Sequence, residues 1–355
     1  MTGQMQNTST QIPKTSKSQT TLQDIQVTNL PKNIYIETTN MCNISCKICP
    51  RTYFPLESKR SLTLKEFQHI TNQFKQLETV LLHGVGEPLL NAELVKMIIH
   101  LKSQNSYVAI NSNGILLDRA CSESLIKSRL DELRISIDAA TPQTYNKVRN
   151  CGQLDKIIDN VKTLNDMKNE AKLNTPKISL WFVGMKETIH ELPSLLQIAH
   201  NIGASEVYLQ RLIYFGKGLA IEDQSLQMGS KAEISEYENI LKRCEELSLK
   251  LNLEFRASGN KLPSRSLRMS NPKSNAWKEC KRPWISTYIT VHGNVLPCCF
   301  PPFTVNQFKD CILGNVFEED FKRIWHGSDY MRFRNNFLSN NPPNSCIDCG
   351  NLWSL

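Results

Sequence analysis

The chain has 355 residues, of which 40% are hydrophobic, and its formal charge is +8 at pH 7. This length fits one large domain, alone or with a smaller partner. No apolar run approaches the ~18 residues of a membrane span, and no block of Lys and Arg favours nucleic acid. Residues 1–30 are polar and lack the apolar centre of a secretory signal, so we predict a disordered tail there.

Short β-rich runs alternate with amphipathic helical patterns over residues 31–218. Helical spacing is clearest in the apolar residues between Leu154 and Leu164. Six strand–helix units in series imply a parallel sheet, and six units rather than eight predict an open, partial (β/α)6 TIM-like barrel. The predicted strands are 34–38, 79–83, 107–111, 132–138, 177–183 and 206–212.

Beyond the sixth predicted strand the pattern changes. A long helix is predicted over residues 231–250, and with the polar stretch that follows it forms a linker over residues 219–270. Residues 271–355 are predicted to form a small cysteine-rich α+β domain. This domain should contain a hairpin, a helix over residues 318–337 and a terminal cysteine knuckle.

Twelve cysteines without a secretion signal fit the reducing cytoplasm, where clustered cysteines indicate a metal rather than disulfides. Three of them, Cys42, Cys46 and Cys49, lie in the segment CNISCKICP directly after the first predicted strand. Their soft sulfur atoms suit iron–sulfur clusters or zinc. A structural zinc site would need a fourth protein ligand nearby, and the segment offers none.

This C-x3-C-x2-C spacing resembles the radical S-adenosylmethionine (SAM) superfamily. In that family three thiolates hold three irons of a [4Fe-4S] cluster, and SAM chelates the fourth iron through its amino and carboxylate groups. The resemblance covers about residues 33–215 and implies that the cofactor is the missing ligand. It also implies that SAM is cleaved reductively to a 5′-deoxyadenosyl radical, which abstracts a hydrogen atom from the substrate.

The end of the second predicted strand extends this resemblance. It runs into HGVGEP, in which Gly84, Gly86 and Glu87 resemble the GGEP motif that binds the amino group of SAM. The sequence departs from the motif by an inserted Val. At the end of the third strand, Asn113 of NSNG resembles a further residue that faces the cofactor.

The fourth predicted strand ends in SID, where Ser136 and Asp138 lie on the face opposite the apolar residues. In relatives, residues at this place bind the ribose and carboxylate of SAM. Arg149 follows shortly and is a candidate partner for that carboxylate. All these motifs fall at the carboxyl ends of strands, where barrel folds place their sites.

The C-terminal cysteines resemble the SPASM and shorter twitch extensions of radical SAM enzymes, which hold auxiliary [4Fe-4S] clusters. We predict one auxiliary cluster, and so two clusters in all, with Cys280, Cys298, Cys346 and Cys349 as its ligands. Cys299 is an alternative to Cys298, since spacing cannot rank neighbours. A structural zinc site with four cysteine ligands is the alternative metal.

Three reactions stay open at this point: dehydrogenation or epimerisation of a small molecule such as a sugar-like alcohol, and modification of a peptide by a maturase. Peptide-modifying relatives often carry a leader-binding domain, and the polar tail is too short to be one, which favours a small molecule over a peptide. Gln210 and Arg211, at the end of the sixth strand, are the candidate catalytic residues; a solvated strand end is the other interpretation.

The resemblance implies an external electron donor such as flavodoxin or ferredoxin, and no membrane or nucleic-acid partner is expected. A hypothesis of another class is a non-enzymatic iron–sulfur or zinc protein that acts as a redox sensor or RNA-binding module. The motifs at the strand ends argue against it, because a sensor needs no SAM pocket.

Overall fold

The computed structural model describes residues 27, 29–54, 57–259, 262–267, 280–304, 308–347 and 349. Most of the predicted tail, and much of the polar stretch that ends the predicted linker, lie outside these residues. Among the residues within these ranges, no helix is long and apolar enough to cross a membrane.

One mostly parallel sheet runs through the described chain, in the strand order β7-β6-β5-β4-β3-β2-β1-β8-β9. Its inner strands are rich in Val, Ile and Leu and are covered by helices, as expected for a parallel sheet. The prediction of a partial, open barrel is confirmed. The strands are β1 (Asn33–Ile36), β2 (Thr79–Leu82), β3 (Tyr107–Ser112), β4 (Glu132–Ser136), β5 (Lys177–Gly184), β6 (Glu206–Arg211), β7 (Glu254–Ala257), β8 (Ser286–Ile289) and β9 (Val295–Leu296).

The helices each bury one apolar face. In α5 the buried residues include Leu154, Ile157 and Leu164, which is the predicted helical spacing. Thr63 and Ser230 begin α1 and α7 with complete capping boxes. The helices are α1 (Leu64–Thr71), α2 (Leu94–Ser103), α3 (Arg119–Lys127), α4 (Pro142–Arg149), α5 (Leu154–Glu170), α6 (Leu192–Asn201), α7 (Lys231–Lys250), α8 (Arg282–Ile285), α9 (Phe321–His326), α10 (Ser328–Leu338) and α11 (Asn344–Ile347).

The segment predicted as a linker carries a seventh parallel strand. Helix α7 occupies the predicted residues, and β7 then pairs with β6 at the edge of the sheet. Its four residues, EFRA, alternate between exposed and buried. Such a short edge strand with two charged residues gives too weak a pattern for sequence to detect.

The C-terminal segment joins the same sheet on its other side. Strand β8 pairs in parallel with β1, and β9 returns antiparallel to β8 in the predicted hairpin. The helix predicted over residues 318–337 is instead two helices, α9 and α10, which meet at Gly327. The division of the chain into domains stays a prediction, since the sheet is continuous across it.

A buried cation organises the small C-terminal core. The guanidinium of Arg334 lies 4.3 Å from the ring centres of both Trp325 and Tyr330. It donates to the carbonyls of Pro283 (3.0 Å) and Trp325 (2.9 Å). These contacts join α10 to α8 and α9, and so hold the helices that cover β8.

Candidate active site

Three thiols lie on the loop after β1. Cys42, Cys46 and Cys49 all line one cavity of about 380 Å³ at the carboxyl end of the sheet. Two backbone hydrogen bonds at Lys47 hold the loop: its N–H donates to the carbonyl of Val148, and its carbonyl accepts from the N–H of Leu219, both at 2.8 Å. The barrel therefore fixes the loop from α4 and from the segment after β6.

Burial is the main cause of the raised pKa values of two of these thiols, Cys46 and Cys49. It raises the pKa of Cys46 to about 12, against the opposing effect of Arg149, and it raises the pKa of Cys49. Cys49 raises the pKa of Cys46, and Cys42 that of Cys49, so the three sulfurs share one neighbourhood. The Arg149 Nη1 donates to the Cys46 Sγ at 3.7 Å. Binding iron would displace the protons that burial retains.

The spacing of the sulfur atoms bears on the metal they fit. In the part of the chain that the structure describes, no three His, Cys, Asp or Glu side chains lie close enough together to hold one metal ion. Zinc would need its ligands in a single tetrahedron. A cluster takes its thiolates on different irons, and three soft sulfur donors that line one cavity fit that arrangement.

The loop after β2 is pressed against the chain that follows β1. A Cβ at Gly86 would lie 2.1 Å from the Thr39 carbonyl oxygen, and one at Gly84 would lie 2.4 Å from the side chain of Glu37. Only glycine fits such approaches. Both glycines line the cavity, as does Glu87.

Glu87 is buried, and its carboxylate is held by the end of β3. It accepts hydrogen bonds from the Ser112 hydroxyl (2.8 Å), the Asn113 N–H (2.7 Å) and the Leu89 N–H (3.1 Å). Burial nevertheless raises the pKa of Glu87 to about 7. The Asn113 side chain donates to the Asn43 Oδ1 (2.8 Å) and to the Cys42 Sγ (3.9 Å), so it joins β3 to the thiol loop.

The residues predicted at the end of β4 lie at two depths. Ser136 and Arg149 line the cavity. Asp138 is fully buried behind Arg149: its Oδ2 lies 2.5 Å from the Arg149 Nε, and its Oδ1 accepts from the Val183 N–H at 2.8 Å. Asp138 is thus placed to orient Arg149, while direct contact between Asp138 and a cofactor stays a prediction.

Gln210 and Arg211, at the end of β6, also line the cavity. Burial lowers the pKa of Arg211 to about 10. Its guanidinium donates to the carbonyl of Ser266, which lies in the segment after β7. Arg211 therefore ties the cavity to a part of the chain that sequence analysis left as linker.

Sequence analysis missed the side chains deeper in the barrel. The rings of Trp181 and Tyr208 stack with centres 4.3 Å apart, and the Arg134 guanidinium lies 4.7 Å from the Trp181 ring centre. Arg134 also pairs with Glu132 at 2.8 Å. Burial, and then Arg134, lower the pKa of His83 to about 4. Polar or aromatic residues at alternate positions of apolar strands were the available signal.

A second group of thiols adjoins the cavity. Burial is the main cause that raises the pKa of Cys298, Cys346 and Cys349, to about 12 for Cys346. Cys280 raises the pKa of both Cys346 and Cys349, so the four predicted ligands share one neighbourhood.

Cys299 lies with them and, like Cys349, lines the cavity. Its Sγ accepts a hydrogen bond from the Arg282 Nη1 at 2.8 Å. Cys298 and Cys299 therefore both stay candidates for the fourth ligand. Cys311, given no role in the predicted set, is buried close to Cys346.

Comparison with known proteins gives relatives along most of the chain. It is 22% identical to the AdoMet-dependent heme synthase of Methanosarcina barkeri over 87% of this chain and 86% of that protein. It is 22% identical to the PqqA peptide cyclase of Granulibacter bethesdensis over 89% of this chain and 79% of that protein. Among solved structures, Streptococcus suis SuiB bound to the precursor peptide SuiA has a TM-score of 0.67 at 18% identity, covering 93% of this chain and 72% of that one.

Two family models match the chain, one over each thiol group. The radical SAM superfamily matches residues 36–198, which contain the first thiol loop and the strand ends around it. The SPASM iron–sulfur cluster-binding domain matches residues 280–350, which contain the second group. The chain therefore belongs to the radical SAM superfamily, with a C-terminal SPASM domain, and its cofactors are [4Fe-4S] clusters and S-adenosylmethionine.

Proposed function

We propose that this radical SAM enzyme modifies a peptide by removing a hydrogen atom from one of its residues. The observation that carries the proposal is the set of peptide-acting relatives. PqqA peptide cyclases match 89% of this chain, and SuiB, solved with its precursor peptide SuiA, shares the fold over 93% of it.

These relatives overturn the prediction that a small molecule is the preferred substrate. That prediction was wrong because it rested on a polar tail too short for a leader-binding domain. The substrate binds in the cavity, so the length of one segment outside the cavity does not identify it. The alternative of a non-enzymatic metal protein also has no support, since the chain is a radical SAM enzyme.

The cavity supports the proposal by its volume and lining. It has a volume of about 380 Å³, and the first three thiols line it together with Cys299 and Cys349. The strand ends that line the same cavity would hold SAM. In this assignment Gly84, Gly86 and Glu87 face its amino group, and the other residues that line the site are Asn113, Ser136 and Arg149.

When bound, these cofactors supply one-electron chemistry: a radical that abstracts hydrogen, and an acceptor for the electron that the substrate retains. Among the other side chains that line the cavity, Gln210, Arg211 and the deeper Arg134, Trp181 and Tyr208 are the candidates to contact the substrate. We favour oxidation of the peptide over epimerisation, because the second thiol group opens onto the same cavity and would keep an electron acceptor beside the substrate.

The proposal is tested by asking which class of compound stimulates SAM cleavage. The anaerobically reconstituted enzyme is given SAM, a reductant and either the peptide fraction or the metabolite fraction of an extract of its host. The peptide fraction should increase 5′-deoxyadenosine, and treating that fraction with a protease should remove the increase.

The mass of the peptide product then distinguishes oxidation from epimerisation. A peptide that loses two hydrogens is oxidised, whereas one whose mass is unchanged in ordinary water but which acquires deuterium in heavy water is epimerised. Stimulation by the metabolite fraction that survives protease would overturn the peptide proposal. The variant Cys42→Ala, which lacks one of the first three thiols, is the control for background cleavage.

A further inference from the structure

A buried carboxyl group joins three segments of the fold at the edge of the site. Glu37 follows β1 directly and is 2% exposed. Its Oε1 accepts from the Val85 N–H at 3.0 Å, and its Oε2 accepts from the Val291 N–H at 3.2 Å. The Tyr288 hydroxyl also donates to the Oε1, at 3.3 Å.

One of these partners belongs to the loop assigned to SAM. Val85 lies between Gly84 and Gly86, immediately before Glu87, and is the residue by which the loop departs from the GGEP motif. The Gly84 backbone packs directly on the Glu37 side chain. A buried N–H that lost its acceptor would destabilise the loop, so the Glu37 carboxylate stabilises the backbone that presents Glu87.

The other partners belong to the SPASM domain. Tyr288 lies in β8, and Val291 lies in the turn between β8 and β9, in the hairpin that leads to the second thiol group. The Glu37 N–H also donates to the Ile289 carbonyl at 2.9 Å. Tyr288 is fully buried, in a cluster with Cys311 against which Cys299 packs. A shift of β8 would therefore move the same carboxylate that accepts the hydrogen bond from the Val85 N–H.

We propose that Glu37 is a positioning residue that couples the SPASM domain to the SAM-binding loop, so that SAM affinity depends on the state of the second thiol group. The proposal rests on the assignment of Gly84–Glu87 to SAM, and it does not depend on the substrate being a peptide. Both carboxylate oxygens are needed, because each accepts from a different segment.

The variant Glu37→Gln tests this coupling, because it removes one acceptor oxygen while it keeps the volume of the side chain. An amide has one acceptor oxygen, so it must release either Val85 or Val291 while occupying the same space. We expect the reconstituted variant to retain its iron and to bind SAM about tenfold more weakly, measured by equilibrium dialysis at pH 8. Glu57→Gln is the matched control. Glu57 accepts a hydrogen bond at 2.7 Å from the side chain of Asn294, which lies in the same hairpin as Val291, but it does not touch the SAM loop.

The decisive measurement combines Glu37→Gln with Cys346→Ala/Cys349→Ala. If Glu37 transmits the state of the SPASM domain, the cysteine changes weaken SAM binding in the wild-type background and add little in the Glu37→Gln background. Additive losses would assign Glu37 a purely structural role and overturn the proposal, as would unchanged SAM affinity in Glu37→Gln.

Two further variants keep the test decisive. If Glu37→Gln does not fold, Tyr288→Phe removes one hydrogen bond from the same carboxylate; about a twofold loss of SAM affinity is expected, and no loss overturns the proposal. Glu87→Gln tests the assignment of the loop itself. Unchanged SAM affinity in that variant would show that the premise, rather than the coupling, is at fault.

Discussion

The two thiol groups face one cavity but are assembled differently. The first three thiols lie within eight residues of chain, on a loop held by backbone hydrogen bonds to α4 and to the segment after β6. The second group is drawn from three separate segments around residues 280, 298 and 346–349. These segments meet only because β8 pairs with β1 and because α9 and α10 pack over it.

Because of this difference, the ligands of the two groups are specified in different ways. The first group is local, and its resemblance to the radical SAM motif, together with the motifs at the neighbouring strand ends, indicates its chemistry and implies one ligand position for a cofactor. The second offers four or five thiols, enough to close a cluster, and depends on tertiary packing to bring them together. Removing the first group should therefore abolish chemistry, whereas removing the second should also test the integrity of a small domain.

The largest effect is expected from Cys42→Ala/Cys46→Ala/Cys49→Ala. The wild-type enzyme should hold about eight irons after anaerobic reconstitution, from two four-iron clusters, and the variant about half of them. SAM cleavage should disappear, measured as 5′-deoxyadenosine. Cys121→Ala, a cysteine outside both groups, should retain iron and cleavage; equal iron loss in that control would contradict the assignment.

Cys346→Ala/Cys349→Ala should also lose about half of the iron, but with a different consequence. SAM should still be cleaved, because the first group is intact, while the oxidised peptide should not form. Thermal unfolding shows whether the variant is folded. A well-folded variant that makes the oxidised product at the normal rate would make the second cluster structural, and zinc in the site of anaerobically purified protein would exclude the cluster.

The buried ion pair of Asp138 and Arg149, behind the first thiol group, should contribute more to the free energy of unfolding than an exposed ion pair does. Asp138→Asn leaves Arg149 without the carboxylate that lies 2.5 Å away, and breaking a buried pair costs about 3 kcal/mol. The exposed pair of Lys147 and Glu187 extends from the same helix, and Lys147→Ala should cost about 0.5 kcal/mol. Urea unfolding under anaerobic conditions measures both, and equal losses would contradict the role given to burial.

A smaller effect is expected at the SAM loop. Glu87→Gln should spare the iron and weaken SAM binding by about 1.5–3 kcal/mol, the contribution of a hydrogen bond to a charged group. Glu93→Gln, which changes an acid that accepts from the Leu64 N–H outside the cavity, is the matched control. An unaltered dissociation constant in the Glu87 variant removes this residue from the site.

The smallest effect concerns pH. Burial raises the pKa of Glu37 from 4.5 to about 7, and the negative charge of nearby Glu57 also raises this pKa. The folded protein therefore holds this proton more tightly than the unfolded chain, and the stability gained is present below about pH 4.5 and lost as the pH rises to about 7. The melting temperature of the wild type, relative to Glu37→Gln, should fall by a few degrees between about pH 5 and pH 7. A constant difference would contradict the raised pKa.

Much of the fold was predictable because its signals are local. Six parallel strands and the long helix α7 follow from hydrophobic periodicity, and the residues at the strand ends converge because parallel strands end at one edge of a sheet. Ten of the residues predicted for the cofactors, including Cys46, Glu87 and Arg149, line the cavity together with Gln210 and Arg211. Asp138 does not, because strand alternation defines a face and not how deep a side chain lies on it.

The sequence by itself determined the open barrel, through its alternating strand and helix patterns, and the first thiol loop, through its short spacing. It also indicated the enzyme superfamily, through the resemblance of short motifs at the strand ends. Only the tertiary structure decided that β8 lies beside β1, that Glu37 meets Val85 and Val291, and that Arg134 and Trp181 lie together in the barrel. The physical reason is that periodicity encodes which face of an element is buried, whereas the partner of that face is chosen by packing across some 250 residues of intervening chain.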